Sequence, residues 1–400
     1  MAKLCLYFQL HQPYRLRPFS VFDLDQKKSY FTDDKDQNRQ VFQKVAKKSY
    51  VPMLSLLLEL VHQHPHFAFA LSCSGIFLEQ AEEYQPEVIK LLKKLAKTGR
   101  VEFLAETYYH SLASLYSNEE FIAQVKQHQE KIWQLFRLQP SVFRNTELIY
   151  SNDIAQQVSD MGFRAMLSEA VERHLHGRAR THAFRSTSTP PLVLLLKHAQ
   201  LSDDVAFRFS NKGWEEHPLT AEKYSHWIGS YYPDELVNLF MDFETFGEHQ
   251  WEDTGIFAFF KKMVAQALRD GHHFVQPGAV ARTELQKDSE KLAHLPTYDV
   301  HEPISWADID RDLTAWRGNT LQYDALRLLY KLEAECKSEH DPQLLDTWRK
   351  LQTSDHFYYM CVKWSADGDV HKYFSPYDSP FEAYNRYTAV LADLQGYLLK

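Results

Sequence analysis

Cysteine is scarce in this chain, and its placement excludes more than its number does. Cys5, Cys73, Cys336 and Cys361 are scattered with no CxxC spacing, so a structural zinc site finds no framework. They read as reduced core residues of a cytoplasmic protein. Long apolar runs are missing too. Nothing approaches the roughly 18 residues of a membrane helix, and no membrane partner is expected. The opening residues, Met1-Ala2-Lys3-Leu4-Cys5-Leu6-Tyr7-Phe8, run straight into a strand-like pattern. They lack the apolar stretch and small-residue cleavage site of a signal peptide. No long basic run appears and the net charge is -8, so no nucleic-acid partner is expected. No GxGxxG or GxxxxGK[ST] occurs, which leaves nucleotide binding unsupported. Ser72 and Ser74 flank Cys73 ahead of Gly75, but this is not the GxSxG elbow of a serine hydrolase. Internal repeats and low-complexity tracts are absent.

What is present suits a large enzyme. The 400 residues accommodate an α/β barrel of about 250 residues with a smaller second unit. Hydrophobic residues make up 44%, enough for a sizeable core, and 26 Phe, 22 Tyr and 8 Trp bring aromatics to 14%. Tyr and Trp in such number can line a sugar cleft as well as fill a core. Strand-length apolar runs alternate with helical patterns over the first two thirds, which argues for a parallel sheet or barrel. The expected strands are residues 4–10, 68–73, 101–105, 141–144, 165–167, 192–196, 205–208, 237–243 and 273–275. The expected helices are 50–64, 87–97, 118–136, 152–161 and 256–270, with Gly99, Gly162 and Gly271 as stops and Asn152 as an N-cap. Residues 177–189 read as a basic surface loop. A boundary is expected across 288–303, followed by helices at 323–337, 344–352 and 384–399.

Two carboxylates stand at the ends of apolar strand-like runs: Glu147 in Ser141-Val142-Phe143-Arg144-Asn145-Thr146-Glu147 and Asp242 in Leu239-Phe240-Met241-Asp242-Phe243-Glu244. An unpartnered carboxylate in an apolar strand costs several kcal/mol. Residues at the C-terminal ends of barrel strands converge on one mouth, and glycoside hydrolysis needs two carboxyl groups flanking one bond. The competing reading is that each caps a helix or pairs with an arginine, Arg144 in the case of Glu147. His11 ends the first strand and is stopped by Pro13. Glu102, Glu106 and His110 cluster in one stretch, either as site residues or as a buried network. Glu244, Glu248 and His249 follow Asp242, and two acids that close raise one pKa. Residues 306–319 combine Trp306, Asp308, Asp310, Arg311, Asp312 and Trp316, which suits sugar stacking and hydroxyl binding or a capped helix packed on the barrel. A cation held by His11, Asp242 and His249 lacks the HxH or HExxH spacing. No metal and no cofactor are expected.

Five segments in order, His11-Gln12-Pro13, Gly99-Arg100-Val101-Glu102, Arg144-Asn145-Thr146-Glu147-Leu148, Asp242-Phe243-Glu244-Thr245-Phe246-Gly247 and residues 306–319, together resemble glycoside hydrolase family 57, in its α-amylase branch. The resemblance covers nearly the whole chain. It implies an incomplete (β/α)7 TIM-like barrel over residues 1–290 and a helical domain over 291–400 that completes the cleft. It implies a retaining mechanism on α-glucans, with Glu147 as nucleophile and Asp242 as general acid/base. His11 and Glu102 match positions that contact the sugar or orient the nucleophile. His110, Trp306, Asp308, Asp312 and Trp316 carry over as substrate-binding positions, joined by Glu244 and His249 from the reading of the residues. The resemblance leaves hydrolysis and 4-α-glucan transfer both open. Two further rivals are a metal-dependent hydrolase, such as a deacetylase or α-mannosidase, and a non-catalytic glucan-binding protein.

Overall fold

The computed structural model describes residues 1–25, 29–32, 36–307, 309–339, 341–363 and 375–398. Its centre is a ring of strands: β1 (Lys3–Leu10), β2 (Phe69–Cys73), β3 (Val101–Phe103), β4 (Val142–Arg144), β5 (Ala165–Glu169), β6 (Ala183–Arg185), β7 (Val193–Lys197), β8 (Leu236–Asp242) and β9 (His273–Phe274). One sheet runs β3-β2-β1-β8 and the other β4-β5-β7-β6. All pairs in them are parallel except β6–β7.

Two seams join the sheets. At the first, a parallel bridge ties Ala105 to Phe143, with Ala105 N–H donating to Val142 and Arg144 N–H to Ala105. At the second, His198 N–H donates to the Asn238 carbonyl at 2.8 Å, and the Asn238 side chain donates to the Leu196 carbonyl at 2.9 Å. Seven strands, β1 to β5 with β7 and β8, therefore make an incomplete (β/α)7 barrel. β6 forms the antiparallel edge at the second seam. β9 is a two-residue addition that pairs with Lys3 and Leu4, below the stretch where β1 meets β2.

The strands are apolar on both faces because both faces are covered, the expected pattern for a parallel sheet. Cys5, Tyr7, Ala70, Leu104, Val142, Ala165, Leu167, Val193, Leu195 and Phe240 fill the barrel interior. Leu4, Leu6, Phe8 and Leu10 point outward into the helix layer. The helix Pro277–Lys287 closes the bottom and sends Ala281 into the interior cluster. Helices Thr320–Lys331, Pro342–Lys350 and Pro380–Leu398 build a second core around Trp316, Trp348 and Tyr387, which also takes in Phe143, Ile149 and Met166 from the barrel side. Among the described residues no helix is long and apolar enough to cross a membrane.

Some local expectations are corrected. Residues 205–208 are not a strand. The helix Ala199–Ala206 occupies that place, with Leu201, Ser202, Val205 and Ala206 buried at helical spacing and the His198 side chain as its cap. The short Val-Ala-Phe-Arg run mimics a strand because four residues are too few to separate the two periods. Within 177–189, Ala183–Arg185 is β6, held by β7 rather than by its own pattern. The N-cap of helix Asn152–Asp160 is Ser151, whose hydroxyl accepts from Ile154 N–H. Asn152 instead donates to Asp299 at 2.6 Å.

Candidate active site

The strand ends and one returning C-terminal segment enclose a cleft of about 520 Å³ at the C-terminal mouth of the barrel. β1 delivers Gln9 and His11, the loop after β3 delivers His110, β4 leads into Arg144 and Glu147, and β8 leads into Asp242 and Glu244. Trp306 and Asp355 close it from the far end of the sequence.

Glu147 sits just past β4 with φ 56° and ψ 25°, and Leu148 follows at φ 51°. Two successive non-glycine residues in the left-handed region cost roughly 1–3 kcal/mol each, and such strain gathers at functional sites. It turns the carboxylate back into the cleft. Oε1 accepts from His110 Nε2 at 3.3 Å and lies 3.5 Å from Ser354 Oγ. Oε2 accepts from Trp306 Nε1 at 2.8 Å. Burial alone would raise its pKa, but the bond to His110, the His110 and Arg144 charges and the Trp306 donor together hold it below the usual glutamate value. Glu147 is therefore ionised at neutral pH.

Asp242 faces the opposite balance. Burial raises its pKa first and the Glu147 charge raises it further, against Arg144, Lys197 and His110, and the result is about 6. Its neighbour Glu244 is pushed up to about 8, mainly by burial and then by Asp242. Tyr50 donates to Glu244 and is itself bonded by the Gln12 amide at 3.0 Å. A π-helical turn, Ala46–Tyr50, interrupts the flanking helices and brings Tyr50 there. Such turns mark functional sites more often than chance. The loop beyond Glu244 fits because Gly247 (φ +105°) has no Cβ, which would collide with the Lys48 carbonyl.

His110 links the cleft to the barrel interior. Nδ1 lies 3.2 Å from Glu106 Oε2 and Nε2 3.3 Å from Glu147. Burial disfavours its charge, but the bonds to both carboxylates outweigh this and lift its pKa to about 9. Glu106, fully buried, is held down to about 2 by His110 and Arg144 against the effect of burial. His11 stacks on His110 with ring centroids 4.0 Å apart. Both His11 nitrogens are engaged, Nδ1 with Ser74 Oγ at 2.8 Å and Nε2 with Asp355 at 3.0 Å. Among the described residues no group of three His, Cys, Asp or Glu is arranged to hold a metal ion.

The residues singled out from sequence therefore divide. Glu147, Asp242, His11, His110, Glu244, His249 and Trp306 line one cleft. Glu102 does not. It lies low in the barrel, where its carboxylate accepts from Gly278 N–H at 2.8 Å at the start of helix Pro277–Lys287, and a Cβ on Gly278 would strike it. Asp312 lines no part of the cleft either. It caps the turn Thr314–Arg317 by accepting from Thr314 N–H at 2.8 Å. Trp316 is 2% exposed and belongs to the second core. Asp308 lies outside the described residues. Trp306 holds its place differently from a free stacking platform: Arg144 and Lys197 approach its ring at 5.3 and 5.2 Å, and its N–H is given to Glu147.

Comparison with known proteins decides the family. The sequence model of Glycosyl hydrolase family 57 matches residues 5–295. The chain belongs to this family. A Methanocaldococcus jannaschii protein provisionally named an alpha-amylase is 38% identical over 403 residues, covering 98% of this chain and 84% of that protein. Similar solved structures include a branching enzyme from Pyrococcus horikoshii, with TM-score 0.66, 14% identity, and coverage of 93% of this chain and 87% of that one. A 4-alpha-glucanotransferase from Thermococcus litoralis gives TM-score 0.65 at 14% identity over 89% of this chain, which spans 56% of the transferase. An alpha-amylase from Thermotoga maritima gives TM-score 0.60 at 11% identity, covering all of this chain and 93% of that one. At such identities these structures speak to the fold. This family 57 chain is a glycoside hydrolase by its family membership.

Several cleft residues escape sequence reasoning in this family 57 enzyme. Arg144 enters reading only as a partner for Glu147. It lies fully buried, 3.9 Å from Glu106, and acts on both Glu147 and Asp242 through its charge. Lys197 ends β7 and pairs with Asp203 at 3.2 Å. The strand-end rule could have found it. Asp355 and Tyr359 could not have been found, because only the folded chain brings residues 354–359 back to β1.

Proposed function

We propose that this enzyme cleaves α-1,4-glucosidic bonds of maltooligosaccharides, starch or glycogen with retention of the anomeric configuration. The reading rests above all on two carboxyl groups in one cleft driven toward opposite protonation states, since retaining hydrolysis needs one ionised nucleophile and one protonated acid. Glu147 attacks the anomeric carbon, and Asp242 gives its proton to the departing glycosidic oxygen. A glycosyl ester on Glu147 and a carboxylate on Asp242 result. With the Glu147 charge consumed, one cause of the high Asp242 pKa disappears, and Asp242 takes a proton from the incoming water. Water displaces Glu147 and the α configuration returns. The two carboxyls are expected about 5–5.5 Å apart. His110 and Trp306 hold the nucleophile through the bonds described above, and Glu244, His249, Phe207 and Ile309 offer further contacts along the cleft.

We take residues 1–290 as the catalytic barrel and 291–400 as the unit that completes the cleft. The four cysteines, all free and buried, support a place in the cytoplasm. Incubation with maltoheptaose tests the reading. New reducing ends appearing first as the α-anomer, and lost in Glu147→Gln, are expected. Products longer than the input would move the reading to 4-α-glucan transfer. Initial β-anomer, or cleavage that survives Glu147→Gln, would overturn it.

A further inference from the structure

Glu106 is fully buried and lines no part of the cleft, so no sugar touches it. It follows the seam residue Ala105, whose N–H and carbonyl are both bonded to the β4 backbone. Its own N–H donates to His128 Nδ1 at 3.4 Å, and His128 Nε2–H donates to the Cys73 carbonyl at 2.8 Å. One ring nitrogen accepts and the other donates, so His128 is neutral and serves as a fixed anchor. Three nitrogens face Glu106 Oε2: His110 Nδ1 at 3.2 Å, Gln9 Nε2 at 3.4 Å and Arg144 Nη1 at 3.9 Å. Gln9 turns its amide nitrogen that way because the Tyr7 and Ser72 hydroxyls donate to its Oε1 at 2.7 and 2.9 Å.

His110 stands between two carboxylates, Glu106 at Nδ1 and Glu147 at Nε2. An ionised carboxylate accepts and never donates, so both ring nitrogens carry protons and the ring is a cation. The remaining charged or titratable groups around it divide. Arg144 Nη1 lies 3.5 Å from Nδ1 and opposes the charge. His11 stacks on the ring face at 4.0 Å, while Asp355 and Asp242 feel the His110 charge from the cleft. With Glu106 uncharged, the nearest ion to Nδ1 is the Arg144 guanidinium, which would make Nδ1 an acceptor and the ring neutral. Glu106 therefore decides which state His110 adopts.

We infer that Glu106 is a positioning residue that accepts from Nδ1 of His110, keeps that ring doubly protonated and so aims a charged Nε2–H donor at the nucleophile Glu147. This rests on the glycosidase function proposed above and deepens it. The competing role is structural, with Glu106 serving only to offset the buried Arg144 charge. The two differ in what they require of His110. A role through His110 vanishes when His110 is gone, and a structural role does not.

The test combines spectroscopy with a double-mutant cycle on maltoheptaose. In protein labelled with ¹⁵N-histidine, the His110 signals are those lost in His110→Gln. Wild type should show both His110 nitrogens protonated at neutral pH, and Glu106→Gln should lose the second proton at lower pH. Glu106→Gln should lower kcat about 10- to 100-fold with KM little changed. In the His110→Gln background the same change should cost less than about twofold. A neutral His110 in active wild type, or an equal loss with and without His110, overturns the inference. Glu106→Asp, which keeps the charge on a shorter side chain, carries the same cycle if Glu106→Gln does not fold. The proposed function fails separately, if wild type cleaves no α-glucan, and Glu106 then loses its part in the reaction whatever the spectrum shows.

Discussion

The two walls of the cleft carry the same functional group in opposite surroundings. On the Glu147 wall the carboxylate is met by donors and cations: His110, Trp306, Ser354 and, buried behind them, Arg144. On the Asp242 wall the nearest ionisable sequence neighbour in the cleft is another acid, Glu244, steadied by a phenol that carries no charge. Burial penalises charge on both walls. Only on the first is there enough local positive charge to overcome it. The lesson is that the direction in which each carboxyl group's pKa moves is set by what surrounds it and not by whether it is Asp or Glu.

The strongest way to break the comparison is to neutralise one wall. Glu147→Gln should lower kcat on maltoheptaose by about four orders of magnitude with an unchanged circular dichroism spectrum, because the ester can no longer form. Asp242→Asn should cost about 10²- to 10⁴-fold on the same substrate. It should cost far less in the first step with an α-glucosyl fluoride, whose leaving group needs little protonation. A burst of fluoride release would report that.

His110→Gln tests the charge on the first wall, with an expected loss of about 10- to 100-fold. Its pH profile is the sharper readout. In wild type, kcat/KM should fall as pH rises through about 6, where free Asp242 loses its proton. It should fall again on the acid side below 4.5, as Glu147 gains one. The His110 charge lowers both pKa values, so removing it should move both limbs to higher pH.

The smallest effect belongs outside the cleft. Glu102→Gln should leave kcat and KM unchanged and lower stability by about 1 kcal/mol, read as a drop of a few degrees in Tm or less. Its carboxylate serves the N-terminus of the helix beneath the barrel, where negative charge is favourable.

The same contrast explains what can be read from the sequence. β1, β2, β7 and β8 are largely apolar runs, and strand-end logic brings Glu147, Asp242 and His11 into view without any knowledge of the fold, while Trp306 comes from the tryptophan-and-acid composition of residues 306–319. Glu102 and Trp316 are assigned to the site from the sequence and lie elsewhere. Glu102 sits within β3, where it faces downward to helix Pro277–Lys287, and Trp316 turns into the core from a helical turn. Asp355 is invisible for another reason. Its partner is 344 positions away, and no local periodicity reports a contact of that range. The strain at Glu147 is likewise a property of the folded loop, since Asn-Thr-Glu-Leu contains no glycine to announce a left-handed turn.

The most direct test of the opposite roles of the two walls is a covalent trap. The enzyme is incubated with 5-fluoro-α-D-glucosyl fluoride, digested, and its labelled peptide sequenced by mass spectrometry. The account predicts a single glycosyl ester on Glu147, lost in Glu147→Gln. A label on Asp242 or Glu244 would contradict it.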